Sequence, residues 1–303
     1  MKKIFVMALM GMMAAGCSDG SEDMVENGLT ESVVKVAVAP VRVHVNGFSV
    51  GMADFPGVQT RGTDVADYTD VNAVTLAFYS GSTEVSKITQ LKDDASTYTT
   101  FGEFSLSLPM GSYTMVAVAC HISASSPFAL TSATEASFIG DHAFETFSAL
   151  QEVTISSSAA VDVSATLERI VSKLQIVSTD GKTADVTNVR MTFAGGSKSF
   201  NPTTGLATDN NGFVNTVGNS AAVGATSSSS GFLFLTSTEE QTMDVTIQTL
   251  DQTENVIFSK TVANVPFKRN RVTILTGAMY TNPGIAGSFQ VNTDWLEGAN
   301  VVF

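Results

Sequence analysis

The chain is short of charge, and of positive charge above all. Only 15% of its 303 residues are Asp, Glu, Lys or Arg, against about 25% in an ordinary globular protein. Sixteen Lys and Arg stand against 29 Asp and Glu, a net charge of −13. That sign is wrong for neutralising phosphates and excludes nucleic acid as a partner. It also opposes electrostatic docking on an anionic bilayer, so membrane attachment would have to come from lipid or from a spanning segment. Cysteine is nearly missing, with Cys17 and Cys120 alone, and His44, His121 and His142 have no second His or Cys at metal-ligand spacing, so no zinc signature is present. No G-x-S-x-G elbow, phosphate-binding G-x-x-x-x-G-K-[ST] loop or H-E-x-x-H pair occurs. The pairs Asp93-Asp94 and Glu239-Glu240 sit in polar, turn-like stretches, although carboxylates from distant strands can also meet in a fold. Nothing in the residues proposes an enzyme or a cofactor. One Trp and five Tyr are poor material for stacking sugars.

What is present is β-forming. Hydrophobic residues make up 44% of the chain, too many for disorder, and they lie in short runs of Val, Thr, Ser and Phe suited to half-buried strands. Helix signals are scarce. Period-two alternation, or short apolar runs bounded by Gly, Pro, Asn or Asp, predict strands at 33–38, 41–45, 73–79, 103–108, 112–119, 152–155 and 161–167. Further strands are expected at 172–178, 186–193, 231–235, 242–250, 256–262, 271–276 and 288–291. Many short strands with turn signals between them imply sandwiches of antiparallel sheets, and the length suggests about two domains. The stretches 104–119 and 256–277 share a layout of strand, proline corner at Pro109 or Pro266, and strand, as if each half held a similar hairpin. Leu167–Leu174 reads as a strand by its β-branched content or a helical turn by its spacing. Asp209-Asn210-Asn211-Gly212 reads as a turn, lacking the further ligands of a calcium loop. Cys120, in the run Met115–Cys120, reads as a buried, inert thiol.

The amino terminus is an address. Lys2 and Lys3 precede an apolar run from Ile4 to Ala15 that is too short to span a membrane. Residues 1–16 therefore read as a secretory signal peptide. Ala14-Ala15-Gly16-Cys17 resembles the bacterial lipobox, with Ala14 where Leu is commoner, which would make Cys17 a lipid-modified first residue. Each buried acyl CH2 group adds about 0.8 kcal/mol of anchoring in the outer membrane. The alternative is a plain cleavage site with an incidental cysteine. Ser18-Asp19-Gly20-Ser21-Glu22-Asp23 is either a solvated linker or similar to the surface-export signal of Bacteroidetes-type lipoproteins.

Four features together resemble the fimbrillin family of Bacteroidales fimbrial subunits. They are the lipobox, the Leu108–Tyr113 corner, the Leu167–Leu174 segment and the Val265–Thr273 run; the ending Trp295–Phe303 is similar to that of major fimbrillins. The resemblance implies an all-β chain of two transthyretin-like antiparallel β-sandwich domains in tandem. It also implies a lipoprotein precursor carried to the outer surface, cut by a trypsin-like protease after an arginine, and joined to other fimbrial subunits by strand exchange, in self-polymerisation or hetero-assembly.

On this sequence the processing site falls at Arg61-Gly62, in a stretch whose Pro56, Gly57 and Gly62 disfavour regular structure. Arg42 is a weaker alternative because it lies within a strand. Val41, Val43 and Val45 alternate with polar residues, and Phe48 and Val50 follow one residue out of phase, which a bulge near Gly47 would absorb. Loss of that strand would open an apolar groove inviting another strand. The candidate donor is 288–303, through Phe289, Val291, Val301, Val302 and Phe303; the alternative is that this tail completes its own domain, as a tip or anchor subunit would allow. The expected organisation is signal 1–16, tether and removable strand 17–61, and sandwiches at 62–164 and 165–303. The rival readings are a monomeric surface lipoprotein binding glycan or another ligand and, third, a hydrolase.

Overall fold

The structure, a computed structural model, describes residues 37–48, 64–281 and 290–292. Nine strands form its first half: β1 (Val38–Phe48), β2 (Ala73–Ser80), β3 (Thr83–Leu91), β4 (Glu103–Pro109), β5 (Gly111–Cys120), β6 (Phe128–Ser132), β7 (Glu135–Phe138), β8 (Thr146–Ile155) and β9 (Val161–Arg169). Seven of these run in the order β3-β2-β5-β8-β9-β1-β4. The contact between β8 and β9 is only two residue pairs long, Phe147 with Arg169 and Ser148 with Glu168. There the sheet folds over into layers of four and three strands enclosing Val41, Val43, Val45, Leu76, Phe78, Phe104, Met115 and Leu167.

The second half contains β10 (Ser172–Ser178), β11 (Asn188–Phe193), β12 (Ser199–Asn201), β13 (Leu206–Ala207), β14 (Phe213–Gly218), β15 (Ser228–Leu233), β16 (Gln241–Leu250), β17 (Val256–Phe267), β18 (Val272–Gly277) and β19 (Gln290–Asn292). One layer is β15-β10-β18-β19, the other β14-β11-β16-β17, and Leu174, Ile176, Met191, Phe193, Val245, Ile247 and Phe267 fill the space between them. The two halves repeat one topology. β10 lies parallel to β18 and antiparallel to β15, as β1 lies parallel to β9 and antiparallel to β4.

The strand patterns follow from what covers each face. β1 alternates because one row, Ala39, Val41, Val43 and Val45, is buried and the other, Arg42 and His44, faces water. β5 is apolar almost throughout because both its faces are covered. Tyr113, Met115, Ala117 and Ala119 enter the first sandwich, while Val116, Val118 and Cys120 enter a separate core between the halves. Phe138, Phe200 and Phe234 complete that core, with Phe200 and Phe234 stacked at 4.4 Å between ring centroids. A small sheet, β13-β12-β7-β6, takes two strands from each half, so backbone pairing as well as apolar packing ties the sandwiches together.

Two expectations change. The proline-marked layouts are not hairpins: β4 pairs with β1 and β5 with β2 and β8, while β17 pairs with β16 and β18 with β10. Each layout is a corner at which the chain crosses from one layer to the other. The position 164/165 falls inside β9, which continues to Arg169; Ile170-Val171 is the link between the repeats. Of the expected strand at 33–38, residues 33–36 lie outside the described residues.

Candidate functional site: the seat of the first strand

β1 occupies a trough between β4 and β9. Its Cα register runs from Val38 opposite Pro109 to His44 opposite Glu103 on one side, and from Val41 opposite Val161 to Phe48 opposite Leu167 on the other. The register slips between Asn46 and Phe48, the bulge at Gly47 that the valine phase requires. The inward row is small and fully enclosed, with Ala39 and Val45 at 0% exposure. At one end Val65 closes the trough beside Gly102, whose φ of +91° and lack of Cβ allow the Val65 side chain to approach. Outside, His44 Nδ1 lies 3.4 Å from Glu103, and Asn46 Nδ2 donates to Ser164 Oγ.

The trough walls have supports of their own. Gln90, buried at 3% exposure, donates from Nε2 to Glu103 O at 2.6 Å and accepts from Gly102 N at 2.7 Å. At the other end of β4, Tyr113 Oη donates to Pro109 O at 2.8 Å, in the manner of a tyrosine corner. Yet among the described residues β4 has no strand partner except β1. Taking β1 away leaves an entire strand without a ladder beside an apolar trough, the condition that recruits another strand.

In the second sandwich β10 fills the equivalent place, but it follows β9 through Ile170-Val171 alone. β1 is joined to the rest through residues 49–63, which contain Arg61. The repeat therefore distinguishes one plug continuous with the body from one that a single cut would separate.

Two of the sequence runs that carry the fimbrillin resemblance, Leu167–Leu174 and Val265–Thr273, meet at this link. Arg169 donates from Nε to Glu145 Oε1 at 2.6 Å and from Nη1 to Asn270 Oδ1 at 3.0 Å, and lies over the Phe147 ring at 4.8 Å. Tyr68 Oη donates to Glu145 and accepts from Arg169; burial, with the Glu145 carboxylate next, pushes its hydroxyl up to about 12. Arg269 Nε donates to Arg169 O, and Asn270 N to Val171 O. The side chains of the Arg169–Glu145 pair are only 10% and 9% exposed. The pair, within the first sandwich, satisfies charges that would be costly if buried singly, and the Arg169–Asn270 bond clasps it to the second sandwich.

The tail leaves from a fixed root. Asp180 accepts from the backbone N–H groups of Met279, Tyr280 and Thr281, each at 2.8 Å. Burial alone would raise its carboxyl, but those bonds hold it below the usual carboxylate range. Tyr280 is 6% exposed, and its hydroxyl accepts from Asn219 at 2.7 Å. Beyond the root, Val291 pairs with Leu275 in the antiparallel β18–β19 ladder, which fits the alternative in which the tail completes its own sheet. Cys17, Arg61, Gly62, Phe289, Val301, Val302 and Phe303 lie outside the described residues. Cys120 is buried, and its surroundings push the thiol up. Asp209 and Asn210 build a turn, accepting from Asn211 N and Gly196 N. Among the described residues no cluster of three or more His, Cys, Asp or Glu could hold a metal ion, and no helix is long and apolar enough to cross a membrane.

Gln90, Asp180 and Tyr280 were not singled out by sequence. Asp180-Gly181 looks like any turn, and its partners lie about a hundred residues away.

Solved structures share this architecture at low identity. A candidate adhesin from Bacteroides thetaiotaomicron matches with a TM-score of 0.50 and 11% identity over 87% of this chain and 98% of that one, which shows a common fold. A candidate adhesin from Bacteroides ovatus gives 0.49 and 11%, over 85% and 96%. The fimbrial anchor protein Mfa2 from Porphyromonas gingivalis gives 0.47 and 12%, over 84% and 97%. No curated protein matches the sequence. A family model described as a family of unknown function, DUF6562, matches residues 43–299.

Proposed function

The chain belongs to the DUF6562 family of unknown function, and from the seat of its first strand we propose that it is a structural subunit of surface fimbriae that assembles by strand exchange and mediates cell adhesion. One observation carries the reading: among the described residues β1 is the sole strand partner of β4, and it is joined to the body through a segment containing Arg61. The adhesive role is extended from the candidate adhesin that has the same fold.

In the proposed cycle the precursor is exported, acylated at Cys17 and held at the outer membrane. A trypsin-like protease cuts between Arg61 and Gly62, and β1 leaves. The trough then accepts a strand from another subunit, with alternate side chains of 288–303 as the first candidates. Ala299, Val301 and Phe303 repeat the small-then-larger order of Ala39, Val41 and Val43. Partners are other fimbrial subunits, the protease and the lipid bilayer; the cycle requires no cofactor and no nucleic acid.

Limited trypsin treatment of the purified precursor, with sequencing of the new amino terminus and gel analysis without boiling, tests it. Gly62 as the new first residue together with a ladder of oligomers is expected. Absence of both defeats the reading. Deleting 299–303 is expected to stop growth and leave the monomer folded; unchanged fibres would remove the tail from the donor role.

A further inference from the structure

The outer face of the layer β14-β11-β16-β17 carries a second feature, apart from the trough of β1. Thr216, Arg190 and Gln248 lie in one row across three strands, since Arg190 is the Cα partner of both others. With neighbouring strands about 4.8 Å apart, the row spaces its polar groups over roughly 10 Å, room for one to two sugar rings. Asp141 from the first sandwich and Glu254 from the turn before β17 flank it, and Val214 supplies an apolar edge. The cavity so lined measures about 540 Å³, within the roughly 300–1,000 Å³ of small-ligand sites.

Both flanks are braced. Gly140, at φ +130°, sits where a Cβ would meet Ser125 O at 2.2 Å. Its carbonyl accepts from Lys198 Nζ, Ile139 N donates to Pro127 O at 2.8 Å, and Ser126 Oγ donates to His142 O at 2.8 Å. Asp141 is thus carried on a fixed loop, and among the described residues its carboxylate has no bonding partner. On the other flank Glu254 adopts φ +65°, a left-handed conformation that is unfavourable for a non-glycine residue. Asp251 fixes that turn by accepting from Thr253 N and Asn255 N, and Glu254 Oε2 accepts from Arg190 Nη2 at 3.0 Å. A strained, non-glycine turn that aims a carboxylate at a half-buried guanidinium is an outlier of the kind that gathers at ligand sites.

The chemistry narrows the ligand. Two carboxylates beside one guanidinium disfavour anions, and a single apolar side chain disfavours greasy molecules. The row lies on a sheet face rather than an edge, so it offers no backbone ladder to a peptide. Planar carboxylate, amide and guanidinium groups beside a threonine hydroxyl can donate to and accept from several hydroxyls at once. The geometry points to a carbohydrate-binding site in which a neutral saccharide unit lies on the Thr216–Arg190–Gln248 row, clamped between Asp141 and Glu254. Recognition there is by hydrogen bonding rather than by ring stacking, which explains how a chain poor in Trp and Tyr recognises sugar. Each contact is weak, and repetition along a fibre would raise avidity by about 10²–10⁴.

The test is an array of neutral and uronic-acid oligosaccharides probed with the full chain, with Asp141→Asn and with Arg190→Met. Thermal melts check that the variants are folded, and the trypsin ladder is run in parallel. Retention of at least one neutral oligosaccharide is expected, weakened about tenfold or more by Asp141→Asn and lost in Arg190→Met. Retention of acidic sugars only, equal retention by the folded variants, or no retention at all overturns the proposal. A silent array beside a normal oligomer ladder would sink the sugar site and leave the assembly reading standing.

Discussion

Trimming Val43 to Ala probes the grip of the trough directly. Val43 is 2% exposed in the inward row of β1. The change removes two methyl-sized groups worth about 0.8 kcal/mol each, and incomplete collapse of the vacated space brings the loss to about 2 kcal/mol. At about 1.4 kcal/mol per factor of ten, that is roughly thirtyfold. In the intact chain the loss is a modest destabilisation. After cutting at Arg61 the strand is held only by non-covalent contacts, so the same loss falls on its dissociation rate. The assay follows the amino-terminal fragment leaving the nicked protein, by gel filtration and mass spectrometry over time. Val43→Ala is expected to release it about thirtyfold faster than the parent. Arg42→Ala, at an exposed position of the same strand, should change release by no more than about twofold, the scale of a surface substitution. Equal release from Val43→Ala and the parent would refute the claim that the inward row holds β1.

Three further outcomes follow from the rest of the fold. Arg169→Met strands the Glu145 carboxylate in a nearly closed site and should cost about 3–5 kcal/mol in urea denaturation; a loss below 1 kcal/mol would mean that the clasp is ornamental. Phe234→Ala, which empties the stack with Phe200, should cost about 3–5 kcal/mol and separate the unfolding of the sandwiches into two transitions; a single unshifted transition would contradict the shared core. Asp180→Ala should destabilise at neutral pH and less in acid. The Asp180 carboxyl is depressed in the folded chain, so its contribution is complete above the unfolded value of about 3.9 and disappears as pH falls through the lower folded value. Denaturation of both proteins from neutral pH into acid should show the difference closing below about pH 4, and a constant gap would argue against the three backbone bonds as its source.

The valines of β1 and the bulge at Gly47 were legible in sequence because period and phase survive in one short stretch. β2 and β5 were equally plain, since strands covered on both faces are apolar nearly throughout. β3 escaped notice because its pattern is largely exposed and polar, and β6, β7, β12 and β13 because each is at most five residues long. Their joint sheet depends on pairing across the two halves, which local pattern does not encode. A strand, a turn and a second strand look alike whether they make a hairpin or a corner between layers, and so Pro109 and Pro266 misled. Leu167–Leu174 places apolar residues at 167, 170, 171 and 174, which hid the link at Ile170-Val171 inside what read as one element. Within the sugar-site candidate, Asp141 and Arg190 come from different sandwiches; the strained turn at Glu254 has no signature short of its backbone angles.

The continuity of β9 into β10 fixes the valence of the molecule. Two copies of one sandwich would ordinarily bring two sites at which a foreign strand could enter, and a subunit with two acceptors can branch. Here the second trough is filled by a strand that no cut at Arg61 releases. In the proposed cycle each chain would be left with one acceptor and would offer one tail. Units of that kind would join only head to tail, and what they built would be a single unbranched line with two unlike ends.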